Sequence, residues 1–181
     1  MQLTQHQTLP VAQTQAWEAL HDITLLQAAI PGCESITAVA EHQYEVLVQA
    51  ALGPVRARFK GRLQIENLQP PQSYTLHFEG QGGAAGHAKG HADIRLEPEG
   101  PAATVLHYSA HTSVGGKMAQ IGSRLVDMAA QKMATEFFES FNSQLQQRYA
   151  IAAPAAVAAP APGLFARVRA WLRRLFGTEP T

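Results

Sequence analysis

Through the middle of the chain, apolar and polar residues alternate with a period of two over five successive stretches. Tyr44, Val46, Val48, Ala50 and Leu52 interleave with Glu45, Leu47, Gln49 and Ala51. After Gly53 and Pro54, Val55, Ala57, Phe59, Gly61 and Leu63 interleave with Arg56, Arg58, Lys60 and Arg62, and the run continues to Ile65 until Pro70 and Pro71 break it. The alternation returns at Tyr74, Leu76, Phe78 and Gly80, at Ala92, Ile94 and Leu96, and at Leu106, Tyr108, Ala110 and Thr112. Successive side chains of a strand point to opposite faces, so these runs predict an antiparallel meander with one dry and one wet face. Leu3, Gln5, Gln7 and Leu9 hint at a further edge strand.

On both sides of the meander the period becomes helical. Residues Val11 to Asp22 and Ile23 to Ile30 read as two short helices, stopped by Pro31 and Gly32. The longest helix is predicted from about Gly116 to Tyr149, with Met118, Ile121, Leu125, Ala129, Met133, Phe137, Phe141 and Leu145 on one side. Strand, two short helices, meander and long helix make an α+β layout, in which the helix covers the dry face of a strongly curved sheet. Such a grip encloses space. By strand and helix parity, Tyr44, Phe59, Tyr74, Phe78, Tyr108, Met118, Leu125 and Phe137 face it.

That interior decides between binding and catalysis. The charged residues and histidines of the five strands fall in the outward set, and the inward polar groups are Tyr44, Tyr74, Thr104, Tyr108 and Thr112. No inward carboxylate or imidazole is predicted for general acid or base work. An apolar and aromatic lining with a few hydroxyls suits a hydrophobic ligand carrying one or two carbonyls, as a quinone does. The same tyrosines would equally serve as core residues bonded to backbone or water. An inward His, Asp or Arg would instead favour an enzyme.

Beyond the long helix the composition changes twice. Ala150 to Gly163 is an uncharged Ala/Pro segment whose Pro154, Pro160 and Pro162 prevent one continuous helix. It reads as a semi-extended linker of about 3.1 Å per residue. Next, Leu164, Phe165, Val168, Trp171, Leu172, Leu175 and Phe176 recur at helical steps, opposite Arg167, Arg169, Arg173 and Arg174. A basic amphipathic helix of this kind lies in the plane of an anionic membrane, and it is shorter than the roughly 20 residues that span one. Docking on a partner, or on the protein's own body, would use the same amphipathic pattern. The chain therefore divides into a body at 1–149, a linker at 150–163 and a tail at 164–181.

Charge supports the division. Ten of the 14 basic residues but 13 of the 14 acidic ones precede Ala150, so a net charge of zero conceals an acidic body and a basic tail. An acidic body excludes nucleic acid as a partner. The four cations from Arg56 to Arg62 read as a solvated strand face or as a surface for an acidic partner. With 181 residues and 46% hydrophobic composition, the chain has enough for one core-bearing domain. Cys33 is the single cysteine, so neither an internal disulfide nor a CxxC motif is available. Met1 to Pro10 has no secretory pattern, and the expected location is cytoplasmic, peripheral on the inner face of the cell membrane. The glycines at 80, 82, 83, 86 and 90 lie between two strands, which is the wrong context for a phosphate loop and the right one for a bend or bulge. His87 with His91, and His107 with His111, are four residues apart along strands, about 13 Å, too far for either pair to chelate a metal alone. A cross-strand pairing of His91 with His107 or His111 on the outer face stays open, against solvated histidines. No metal site is expected.

IPGCES at Ile30 to Ser35, LGPVRARFKG at Leu52 to Gly61, and GQGGAAGHAKGHADIRLEPEG running on to VGGKMAQIGSRLVDMAAQKMATEFF, within Gly80 to Phe138, together resemble the CoxG-type branch, named for the G-subunit of carbon monoxide dehydrogenase, of the START-like, helix-grip superfamily. The resemblance implies a helix-grip domain with an apolar cavity; no covalent cofactor is expected. It also implies an accessory role in attaching molybdenum-containing CO dehydrogenase or a related hydroxylase to the membrane, and carriage of a quinone electron acceptor. A cyclase or hydrolase of the same superfamily, acting on a hydrophobic substrate, is the alternative.

Overall fold

Seven strands pair antiparallel in a single sheet in the computed structural model, which describes residues 2–52 and 55–150. They are β1 (Gln2–Leu9), β2 (Cys33–Ala40), β3 (Gln43–Leu52), β4 (Val55–Gln69), β5 (Ser73–Gln81), β6 (His87–Pro98) and β7 (Thr104–Gly115). The spatial order is β1-β7-β6-β5-β4-β3-β2, so β2 to β7 form one meander and β1 joins at the far edge beside β7. Register keeps the two sequence sets on opposite faces. Tyr44, Leu63, Phe78, Gly90 and Thr112 are opposite one another across β3 to β7, and the adjacent row carries Glu45, Arg62, Glu79 and Lys89. Opposite charges thus alternate across strands on the wet face, an arrangement that favours this register.

The wet-face cations behave as a solvated surface. Arg58 pairs with Glu34 at 3.0 Å, and Lys60 and Arg62 both approach Glu45, at 3.5 and 3.9 Å. On the same face His77, His91 and His111 form a row across β5, β6 and β7, His91 stacked on His111 with ring centroids 5.1 Å apart and His77 tilted against His91 at 5.9 Å. Among the described residues, no group of three or more His, Cys, Asp or Glu side chains is placed to hold a metal ion.

Six strands are expected from alternation, and the structure has a seventh. The additional one is β2, whose register against β3 shifts between Cys33 and Ser35 and again between Ala38 and Ala40. Each irregularity reverses the in-out parity, so no period of two survives in CESITAVA. The glycine-rich stretch has the steric use its position suggested. It forms a 3-10 turn, Gly83–Ala85, between β5 and β6. A Cβ on Gly82 would collide with the Phe59 ring, and one on Gly90 with the His111 carbonyl and the Phe78 ring.

Two helices, α1 (Gln13–Leu20) and α2 (Ile23–Ala29), connect β1 to β2. Asp22 separates them and caps α2, accepting hydrogen bonds from the Thr24 and Leu25 amides at 2.9 and 3.2 Å. The long helix departs from expectation at its start. A short turn, α3 (Lys117–Gln120), precedes α4 (Ser123–Ala150), with Gly122 between them at φ +95°. The second half of α4 packs more fully than the first. Phe138, Phe141 and Leu145 are buried at steps of three and four, whereas in the first half Val126 is buried but Leu125, Met128 and Met133 are 47%, 57% and 38% exposed. Arg148 pairs with Asp22, and the Tyr149 hydroxyl donates to the Gln15 carbonyl, which fixes the end of α4 over α1 and α2.

The core lies between the second half of α4 and the dry face, with Leu9, Leu106, Phe141 and Leu145 wholly buried. Thr104 is buried with them and donates its hydroxyl to the Val11 carbonyl at 2.8 Å. Among the described residues, no helix is long and apolar enough to cross a membrane. The linker and the amphipathic segment Leu164 to Phe176 lie outside the described residues.

Candidate functional site

Where α1, α2 and α4 cover the sheet, side chains do not fill the interior. A cavity of about 270 Å³ remains, walled by Leu20, His21, Ile23, Leu26 and Ile30 from the helical connection, by Phe137 and Phe138 from α4, and by the dry face of β2 to β7. The sheet contributes Ile36, Tyr44, Leu63, Ile65, Tyr74, Leu76, Ala92, Ile94, Leu106 and Tyr108. These positions reach the cavity because each falls on the dry parity of its strand. The volume is near the lower end of the ~300–1,000 Å³ typical of ligand sites. It is well above the roughly 150 Å³ that accommodates benzene. A ring system fits inside; a long hydrocarbon chain does not.

A larger hollow of about 1060 Å³ lies on the opposite, wet face. It is bordered by Gln43, Glu45, Arg62, Gln64, Glu79 and Lys89 and by the row of histidines. Its charged side chains already answer one another across the strands and it opens broadly to solvent, so the less open apolar cavity is the better candidate.

Of the eight residues expected at the cavity, Tyr44, Tyr74, Tyr108 and Phe137 line it. The other four do not. Phe59 and Phe78 share the dry parity, yet they sit towards the end of the sheet near the glycine-rich turn, over Gly82 and Gly90. Met118 is buried in α3, outside the cavity wall, and Leu125 is exposed on the first half of α4. Parity selects the correct face of a strand but not the position along it, and after the break at Gly122 the first turn of α4 buries Val126 and leaves Leu125 exposed.

The tyrosine hydroxyls have different roles. Tyr108 donates to Gln5 Oε1 at 2.8 Å, across the β1 to β7 pairing, so the body of the ring, not a free hydroxyl, is its contribution. Tyr74 is buried, and burial pushes its pKa well above the usual tyrosine range; it stays a protonated phenol.

The expectation that no imidazole faces the interior needs correction. The strand histidines do point outward, but His21 enters the wall from the end of α1. Its Nδ1 is 2.8 Å from the Trp17 carbonyl, and its ring lies 4.5 Å from the Trp17 ring and 5.0 Å from that of Tyr74. Burial lowers its pKa, outweighing the backbone hydrogen bond, and His42 lowers it further. A sequence signal was available. Trp17 and His21 are four residues apart on a helix, with Leu20 beside them, and so share the apolar face.

Solved structures with this architecture are similar over most of their length. A conserved protein from Geobacillus kaustophilus matches with a TM-score of 0.77 and 26% identity, over 81% of this chain and 96% of its own. The ZhuI aromatase/cyclase from Streptomyces sp. R1128 matches at TM-score 0.63 and 11% identity, over 86% and 99%. A START superfamily protein from Mycobacterium smegmatis matches at TM-score 0.63 and 12% identity, over 81% and 97%. The last two likenesses concern the fold alone. No curated protein matches the chain. The sequence profile of the carbon monoxide dehydrogenase G-subunit (CoxG) family matches residues 8–146, which takes in both short helices, the sheet from β2 onward and nearly all of α4, and the chain belongs to that family.

Proposed function

We propose that this protein is a non-catalytic accessory protein that carries the ring of a quinone in the cavity under α4 and brings a CO-dehydrogenase-type molybdenum hydroxylase to the inner face of the cell membrane. The observation that carries this reading is the apolar cavity of about 270 Å³, whose titratable groups among the described residues amount to His21 and tyrosines. Its volume suits a ring head group, and an isoprenoid chain would leave through its open side. The family name, which is that of a carbon monoxide dehydrogenase subunit, supports the choice of partner. The basic apolar segment Leu164 to Phe176 supplies the membrane contact.

The test is native mass spectrometry of lipid released from the purified full chain, beside a variant in which Ala92→Phe fills the cavity. Quinone or its hydroquinone is expected with the wild type and missing from the variant. If the wild type neither co-purifies with either form nor takes either up when it is added, the carrier reading fails.

His21 favours one second reading, an enzyme of the cyclase or hydrolase kind. A neutral imidazole with a free ring nitrogen can accept a proton. Against this, no carboxylate and no second imidazole lines the cavity among the described residues, so nothing there would orient the base or protonate a leaving group. Turnover of a bound hydrophobic substrate that is lost in His21→Gln would favour the enzyme.

A further inference from the structure

His21 has two ring nitrogens with unequal fates. The carbonyl oxygen of Trp17 can only accept, so the 2.8 Å contact places the hydrogen on Nδ1. Burial disfavours a second proton. Nε2 is therefore a lone-pair acceptor. It is buried and has no hydrogen-bond partner among the described residues. Trp17 and Tyr74 flank the ring and limit its rotation, Tyr74 edge-on, with an interplanar angle of 63°. The neighbouring cavity wall is Leu20, Ile23 and Leu26, none of which can supply a donor. An unpaired buried acceptor is costly, and because His21 lines the cavity, an occupant with an O–H can supply the donor.

We infer that the cavity distinguishes the oxidation states of its ring ligand, taking the hydroxyl-bearing hydroquinone or phenol form in preference to the carbonyl form because His21 Nε2 accepts a hydrogen bond from the ligand O–H. This rests on the reading that the cavity takes a hydrophobic ring. A quinone oxygen facing Nε2 sets one lone pair against another and leaves the imidazole unsatisfied; a hydroquinone oxygen donates to it. Tyr74 does not discriminate, because its phenol can donate to either kind of oxygen. The reaction that supplies the preferred ligand is then a two-electron, two-proton reduction of a quinone, and the carrier collects its product.

Two probes isolate the hydrogen: 1-naphthol and 1-methoxynaphthalene, which share a bicyclic ring and an oxygen and differ in the O–H. Titrated into the full chain by calorimetry, 1-naphthol should bind about tenfold more tightly, the effect of satisfying one buried acceptor. His21→Phe should erase the difference while still binding 1-methoxynaphthalene, and Tyr74→Phe should keep it. Equal affinities in the wild type, or a preference that survives in His21→Phe, would overturn the inference and leave the carrier intact. Failure of the wild type to bind either probe would overturn both. Should His21→Phe not fold, nitrogen-15 spectra of the wild type decide: the His21 Nε2 signal should move with 1-naphthol and not with 1-methoxynaphthalene, and a signal unmoved by 1-naphthol counts against the inference.

Discussion

Two neighbouring side chains, His21 and Asp22, should give the protein two separate dependences on pH. Burial lowers the His21 pKa, so the unfolded chain takes up the proton first as pH falls. The stability contributed by the neutral imidazole is complete above the unfolded value, near 6.5, and is lost as pH drops below it. Asp22 is different in position on the scale. The hydrogen bond from Arg148 holds its carboxyl below the ordinary aspartate range, with smaller help from the Leu25 and Thr24 amides. Its contribution is complete above the unfolded value of about 3.9 and fades only in stronger acid. Urea unfolding midpoints should therefore fall between pH 7.5 and 5.5 in the wild type, and fall less in His21→Phe. Asp22→Asn, which keeps an acceptor for the helix cap, should leave that interval unchanged and lose stability chiefly where the wild-type carboxylate is ionised. An identical decline in wild type and His21→Phe would mean that the imidazole is not held neutral.

At the scale of elements, α4 is one helix with two environments. Phe141 is wholly buried against the core, so Phe141→Ala should cost about 3–5 kcal/mol. Leu125, within a turn of the break at Gly122 and nearly half exposed, should lose less than about 0.5 kcal/mol on replacement by alanine. Similar losses at the two positions would show that the first half of α4 packs on something in solution. The contrast also explains what could be read from the residues alone. The long helix, two short helices and six strands are legible because each buries one continuous face, which imposes a period of 3.6 or 2. β2 is not legible, because its two register shifts cancel the alternation. Half of the expected cavity set fails for a related reason: Phe59, Phe78, Met118 and Leu125 obey the period, but where a cavity lies along a strand or helix depends on which helix half rests on the sheet, a tertiary property that no local pattern encodes. His21 escaped because its helix is too short, at eight residues, for a strong stripe to stand out.

For the molecule as a whole, the division of charge is the feature with consequences for location. Thirteen acidic residues lie in the body and four arginines in Leu164 to Phe176. The body is repelled by an anionic leaflet while the tail is attracted, so attachment should come from the tail. Juxtamembrane arginines contribute roughly 1 kcal/mol each near an anionic surface. Burial of Phe165, Trp171 and Phe176 adds an apolar term that salt does not screen. Binding should therefore be reversible and only partly sensitive to salt. In co-sedimentation with phosphatidylserine-containing vesicles, the full chain should pellet and a chain ending at Tyr149 should stay in the supernatant. Trp171→Ser with Phe176→Ser should weaken pelleting at every salt concentration, whereas raising salt should weaken the wild type and flatten above the range where the Debye length falls to about 3 Å. Equal pelleting of the full and shortened chains would transfer the membrane contact to the body, where Leu125, Met128 and Met133 are the apolar side chains that α4 leaves exposed.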